Sequence, residues 1–75
     1  MNSREFNKLT SPERVAYLTS HAELVDERMV SKTSYAVLYD ATDFFAEVFY
    51  EMDQPEKDLA KVITVSEVLT YYMKK

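Results

Sequence analysis

The chain has 75 residues, no cysteine and a single histidine, His21, so it has neither disulfides nor thiolate metal sites, and a structural zinc has no ligand set. One domain of this size buries only about 60% of the surface its unfolded chain exposes, which makes a partner subunit the expected aid to stability. Thirteen acidic against nine basic side chains give a net charge of −4, the wrong sign for nucleic-acid phosphates or an anionic membrane surface.

The first ten residues are polar apart from Phe6 and Leu9 and read as a short helical turn or a docked arm. No apolar run follows the early charges, so no secretory signal is expected. No stretch approaches the roughly 18 consecutive apolar residues of a membrane span. A cytoplasmic location is the expectation, and the absence of cysteine fits a reducing compartment.

In Thr10-Ser11-Pro12-Glu13, Ser11 is placed to cap a helix, Pro12 suits the first helical position and Glu13 the positive end of the helix dipole. Val15, Leu18, Ala22, Val25 and Met29 step by three and four, which predicts one amphipathic helix over about residues 12 to 28.

Tyr35 to Tyr50, Y-A-V-L-Y-D-A-T-D-F-F-A-E-V-F-Y, holds six of the ten aromatic residues and neither proline nor glycine. As a helix it would be apolar on every side, and a chain this short has no interior to hide it. As strands it suits the pleated preference of Tyr, Phe and Val and splits at the polar Asp40-Ala41-Thr42-Asp43. Without glycine or asparagine for a tight hairpin, a four-residue loop with Tyr39 opposite Phe44 is predicted. Tyr35, Val37, Tyr39, Phe44, Ala46, Val48 and Tyr50 then share an apolar face that belongs under the helix. Ser34, Ala36, Leu38, Phe45, Glu47, Phe49 and Glu51 share a mixed face, with rings spaced by carboxylates.

Asp53 to Asp58 reads as a turn around Pro55, Leu59 to Val65 as a third strand, and Val68 to Lys75 as a short helix capped by Ser66-Glu67. The predicted fold is a single α+β domain over residues 1–75: N-terminal helix, three-stranded antiparallel meander, short C-terminal helix. With its D-F-F-x-E-V-x-Y strand at Asp43 to Tyr50, the chain resembles a group of small uncharacterised bacterial proteins in which a helix precedes a β-meander. That resemblance covers about half the chain and implies no activity.

Chemistry has few footholds. His21 sits at the border of the helical stripe, where a boundary residue bonded to solvent or backbone is the expectation. Glu47 and Glu51, four apart on a strand, would stand roughly 13 Å apart at about 3.3 Å per residue, too far for paired acid–base work. The acidic turn at Asp53, Glu56 and Asp58 lacks the glycine and spacing of a calcium loop. With no glycine at all, neither a nucleophile elbow nor a phosphate-binding loop can form. No catalysis, cofactor or metal is expected.

The feature with functional content is the mixed sheet face. If both helices cover the other face, Leu38, Phe45 and Phe49 are left in water as a contact surface for a protein partner, a second copy first, with Glu47 and Glu51 at its rim. If the C-terminal helix folds back, the same rings are core. The alternative function is an acidic inhibitor or nucleic-acid mimic, whose carboxylates between Asp40 and Asp58 would occupy a basic groove on another protein.

Overall fold

The structure, a computed structural model, describes residues 1–54 and 58–73. It is an α+β fold, as the sequence predicts, with four strands rather than three. In chain order the elements are α1 (Ser3–Asn7), α2 (Ser11–His21), β1 (Glu23–Met29), β2 (Ser34–Asp40), β3 (Phe45–Glu51), β4 (Leu59–Ile63) and α3 (Val65–Tyr72). The strands form one antiparallel sheet in the order β1-β2-β3-β4.

Each helix begins with the same device. Asn2, Thr10 and Thr64 accept from the backbone N–H three residues on, and Glu5, Glu13 and Glu67 return a carboxylate to the cap's own N–H. The caps of α2 and α3 are therefore Thr10 and Thr64 rather than Ser11 and Ser66. Binding the Thr10 backbone N–H, and secondarily its hydroxyl, holds the Glu13 carboxyl below its ordinary pKa; Glu67 is lowered in the same way, first by the Thr64 backbone.

The predicted helix over 12 to 28 stops at His21, and residues 23 to 29 form the additional strand. Val25 and Met29 had continued the helical spacing, yet the segment pairs with β2, where its backbone finds ladder partners on either side of one irregularity. A bulge between Leu24 and Asp26, with Val25 as the extra residue, bends this strand near its start.

The β2–β3 hairpin pairs Tyr39 with Ala46 and Asp40 with Phe45, two residues away from the predicted register. A shift of two leaves every side chain on its predicted face. The turn contains Thr42 at φ 76°, an uncommon angle for a β-branched residue and one forced on a chain without glycine. Asp40 supports it by accepting the Thr42 N–H at 2.8 Å, and the Ala41 N–H donates to the Phe44 carbonyl at 3.0 Å.

Helices α1 and α2 cover one face of the sheet, burying Phe6 and Leu18 against Val37, Tyr39, Ala46, Val48 and Ala60. Arg14 ties this layer together, donating to the carbonyls of Phe6 (3.3 Å), Asn7 (2.7 Å) and Ala60 (3.1 Å). Helix α3 folds back onto the opposite face, where Val68 and Tyr72 pack on Leu38, Ile63 and Phe45. The third predicted strand is β4, ending at Ile63, and the last helix begins at Val65. Pro55 of the predicted turn and Lys74–Lys75 of the predicted helix end lie outside the described residues.

Candidate functional site

The mixed sheet face is where sequence and structure meet most directly, because Ser34, Ala36, Leu38, Phe45, Glu47, Phe49 and Glu51 do share one side. Helix α3 covers its middle. Leu38 and Glu47 are both fully buried, so neither stands in an open surface or at its rim, while Phe45, Phe49 and Glu51 are half-buried. Phe45 belongs to the small core under α3. The backbone N–H of Glu51 donates to Asp58 Oδ1 at 3.2 Å, and its carboxylate accepts the Ser34 hydroxyl.

Glu47 is the centre of this face. Its Oε2 accepts from Arg28 Nε at 3.0 Å and from the Tyr72 hydroxyl at 2.5 Å, and Arg28 Nη2 lies 3.5 Å from Oε1. Three elements, β1, β3 and α3, thus meet on one carboxylate. The Arg28 guanidinium also lies 4.3 Å from the Tyr71 ring centroid and 5.9 Å from that of Phe49, whose ring Lys61 approaches at 5.3 Å. Among the described residues, no buried side-chain nitrogen or oxygen lacks a partner.

The electrostatics are those of a clamp. Burial disfavours the charge on Arg28, but the hydrogen bond and charge of Glu47 outweigh it and raise the guanidinium's pKa. Burial, and then the bond and charge of Glu47, hold the Tyr72 hydroxyl above its ordinary pKa, with Arg28 working the other way. A protonated tyrosine and a carboxylate bonded on both oxygens hold α3 on the sheet. On the other face Tyr50 stacks on Tyr35 with centroids 5.1 Å apart, and burial, followed by the Tyr39 hydroxyl, raises its pKa as well.

Covering the sheet moves the exposed apolar surface outward to α3 itself. Val65, Leu69 and Met73 are 61%, 55% and 58% exposed and stand at i, i+4 and i+8, one row along the solvent side of the helix. Tyr71 is exposed beside them, over Arg28 of β1. Leu24 and Met29 of β1 are exposed as well, but opposite Tyr39 and Tyr35 they stand on the other face of the sheet. The sequence does not set this row apart, because the predicted helix begins only at Val68 and omits Val65, the first member of the row. Arg28 and Tyr72 were not paired with Glu47 either. One signal was present: Arg28 is the only lysine or arginine between Arg14 and Lys32.

His21 ends α2, exposed, with its ring 5.0 Å from that of Tyr17. Of the acids between Asp40 and Asp58, Glu47 is buried against Arg28, Asp40 holds the hairpin turn, and Asp58 and Glu51 are hydrogen-bonded; Glu56 lies outside the described residues. No group of three or more metal-ligating side chains converges among the described residues, and no helix there is long and apolar enough to cross a membrane. Compared with family models, with curated proteins and with solved structures, the chain matches none.

Proposed function

We propose that the protein works through protein–protein contacts, without catalysis of its own, and that it self-associates through the side of the molecule formed by α3 and β1. The observation that supports this reading is the row Val65, Leu69 and Met73 on the solvent face of α3. Apolar side chains scattered singly over a surface are ordinary, but a continuous row along one helix beside the exposed Tyr71 is a feature of contact surfaces. Phe49, half-buried between Arg28 and Lys61, lies at the margin of the same side.

Light scattering on a size-exclusion peak tests it. The wild-type chain should approach the mass of a dimer as its concentration rises into the high micromolar range, and Leu69→Glu should return it to a monomer without loss of helix or sheet signal. A strict monomer at every concentration would overturn the proposal.

A further inference from the structure

The two edges of the sheet are finished differently. Alternation along an antiparallel ladder turns the backbone groups of every second residue toward the neighbouring strand and those of the others away from it. In β4 the outward pair is Ala60 and Val62, and the Ala60 carbonyl already accepts from Arg14 at 3.1 Å. Helices α1 and α2 flank that edge. In β1 the Val30 N–H donates to the Ser34 carbonyl, and the same alternation turns the backbone groups of Glu27 and Met29 away from β2. Among the described residues only a side chain answers them: the Glu27 N–H donates to Asp26 Oδ1 at 2.7 Å, within the same strand. An unpaired seven-residue edge of this kind is a template for another strand.

Which strand it fits is written in β1 itself. From Leu24 to Val30 the chain reads Leu-Val-Asp-Glu-Arg-Met-Val, an order that mirrors itself in chemical type about Glu27. Two apolar residues and an acid precede the centre; a base and two apolar residues follow it. We infer that β1 pairs antiparallel with β1 of a second copy about a two-fold axis at Glu27, joining two sheets into one of eight strands. This rests on the self-association proposed above and specifies its geometry.

In that register Asp26 of each copy lies opposite Arg28 of the other, giving two complementary pairs on the α3 side of the sheet. Val25 of each copy lies opposite Met29 of the other, so exposed apolar residues of the strand meet there, while Leu24, beyond the bulge and on the face of Tyr39, stays outside the contact. Met29 is 62% exposed in the single chain. The Asp26 carboxylate, which occupies the Glu27 N–H in the single chain, is freed for the second copy's Arg28 once that N–H meets a backbone carbonyl. An open concavity of about 350 Å³ lined by Glu27, Arg28, Met29 and Tyr35 runs along this edge and gives the incoming side chains room. One feature opposes pairing: the two Glu27 side chains face each other as like charges. Two short strands also bury less than the roughly 800 Å² a side of a standard interface, so the dimer is concentration-dependent.

The absence of cysteine makes a positional test direct. At the axis, Glu27→Cys places two thiols on a hydrogen-bonded pair about 5.5 Å apart at Cα, within disulfide reach. Met29→Cys places them four residues out of register, roughly 13 Å apart at about 3.3 Å per residue, beyond that reach. Under mild oxidation at high micromolar concentration, Glu27→Cys should form a disulfide dimer at least tenfold faster than Met29→Cys. Glu27→Gln, which removes the like-charge contact, should lower the dimer dissociation constant several-fold. A wild-type chain that self-associates while both cysteines cross-link at one rate, or neither does, overturns the edge pairing and leaves self-association standing. A wild-type chain that stays monomeric overturns both.

Discussion

Arg28→Met should destabilise the fold by about 3–5 kcal/mol, the usual cost of breaking a buried ion pair by removing one partner. The structure explains why the loss belongs at that end of the surface scale. Glu47 is fully buried, so its charge cannot turn to water when the guanidinium goes. At 3.0 Å and an effective dielectric near 20, the lost attraction is about 5 kcal/mol before solvation is counted. Methionine keeps the apolar stem over Tyr71 and Tyr72, so the change isolates the charge. A chain of 75 residues at roughly 0.05–0.15 kcal/mol per residue has about 4–11 kcal/mol in all, so the variant should stand close to unfolding. Urea denaturation followed by far-ultraviolet circular dichroism measures the difference. Arg28→Met with Glu47→Leu should recover most of the loss, because an apolar pair of similar volume carries no desolvation penalty. A single variant that loses less than about 1 kcal/mol, or a double variant no better than the single, refutes the clamp.

Two further outcomes concern protonation. Glu13 and Glu67 have carboxyls lowered from an ordinary value of 4.5 by the backbone N–H groups they accept, so their stabilisation is full above that value and lost as pH falls through the lowered one. The urea midpoint of a Glu13→Gln/Glu67→Gln variant should therefore lie below that of the wild type at pH 7 and converge with it as pH falls through the lowered values; a gap that persists in acid would contradict the capping boxes as its source. Tyr50 and Tyr72 are held protonated, in each case first by burial, above the ordinary tyrosine value of 10.0. Of six tyrosines, fewer than six should ionise in an absorbance titration carried to pH 11 on the folded chain, and stability should fall as pH rises past 10. Ionisation of all six as one group in the folded protein would show that neither hydroxyl is buried as described.

What was legible in the sequence is mostly what alternation controls. Tyr35 to Tyr50 divides into the two predicted faces because a strand's period of two survives even a two-residue error in register. The α2 start is visible in Thr10-Ser11-Pro12-Glu13, since a capping box is a local device. Its end is not, because Val25 and Met29 continue the helical spacing of Leu18 and Ala22 while lying on a strand whose exposed face is rich in charge. An edge strand has half its hydrogen bonds and little buried surface, so its hydrophobic pattern is weak by construction. Glu47 was misplaced for the opposite reason. A carboxylate between rings reads as a solvent marker until Arg28, nineteen residues earlier, and Tyr72, twenty-five later, are seen to converge on it. Such a convergence is a property of the sheet order and of α3 folding back, neither of which a local pattern contains. The exposed row on α3 follows from the same event, because covering one apolar face with a helix apolar on both sides creates another.

The strand order carries a consequence for how the molecule assembles. Each strand pairs with the one before it in the chain, so the sheet grows by successive short closures, each at modest entropic cost. The capping boxes likewise start each helix from residues three apart. Against this local background stands Arg14, whose bond to the Ala60 carbonyl spans 46 residues and fastens the first layer to the last strand. The N-terminal helices can close on β4 only once that strand is in place. Until they do, both edges of the sheet lie open, and a new chain is at its most adhesive before its own first helices have closed one of them.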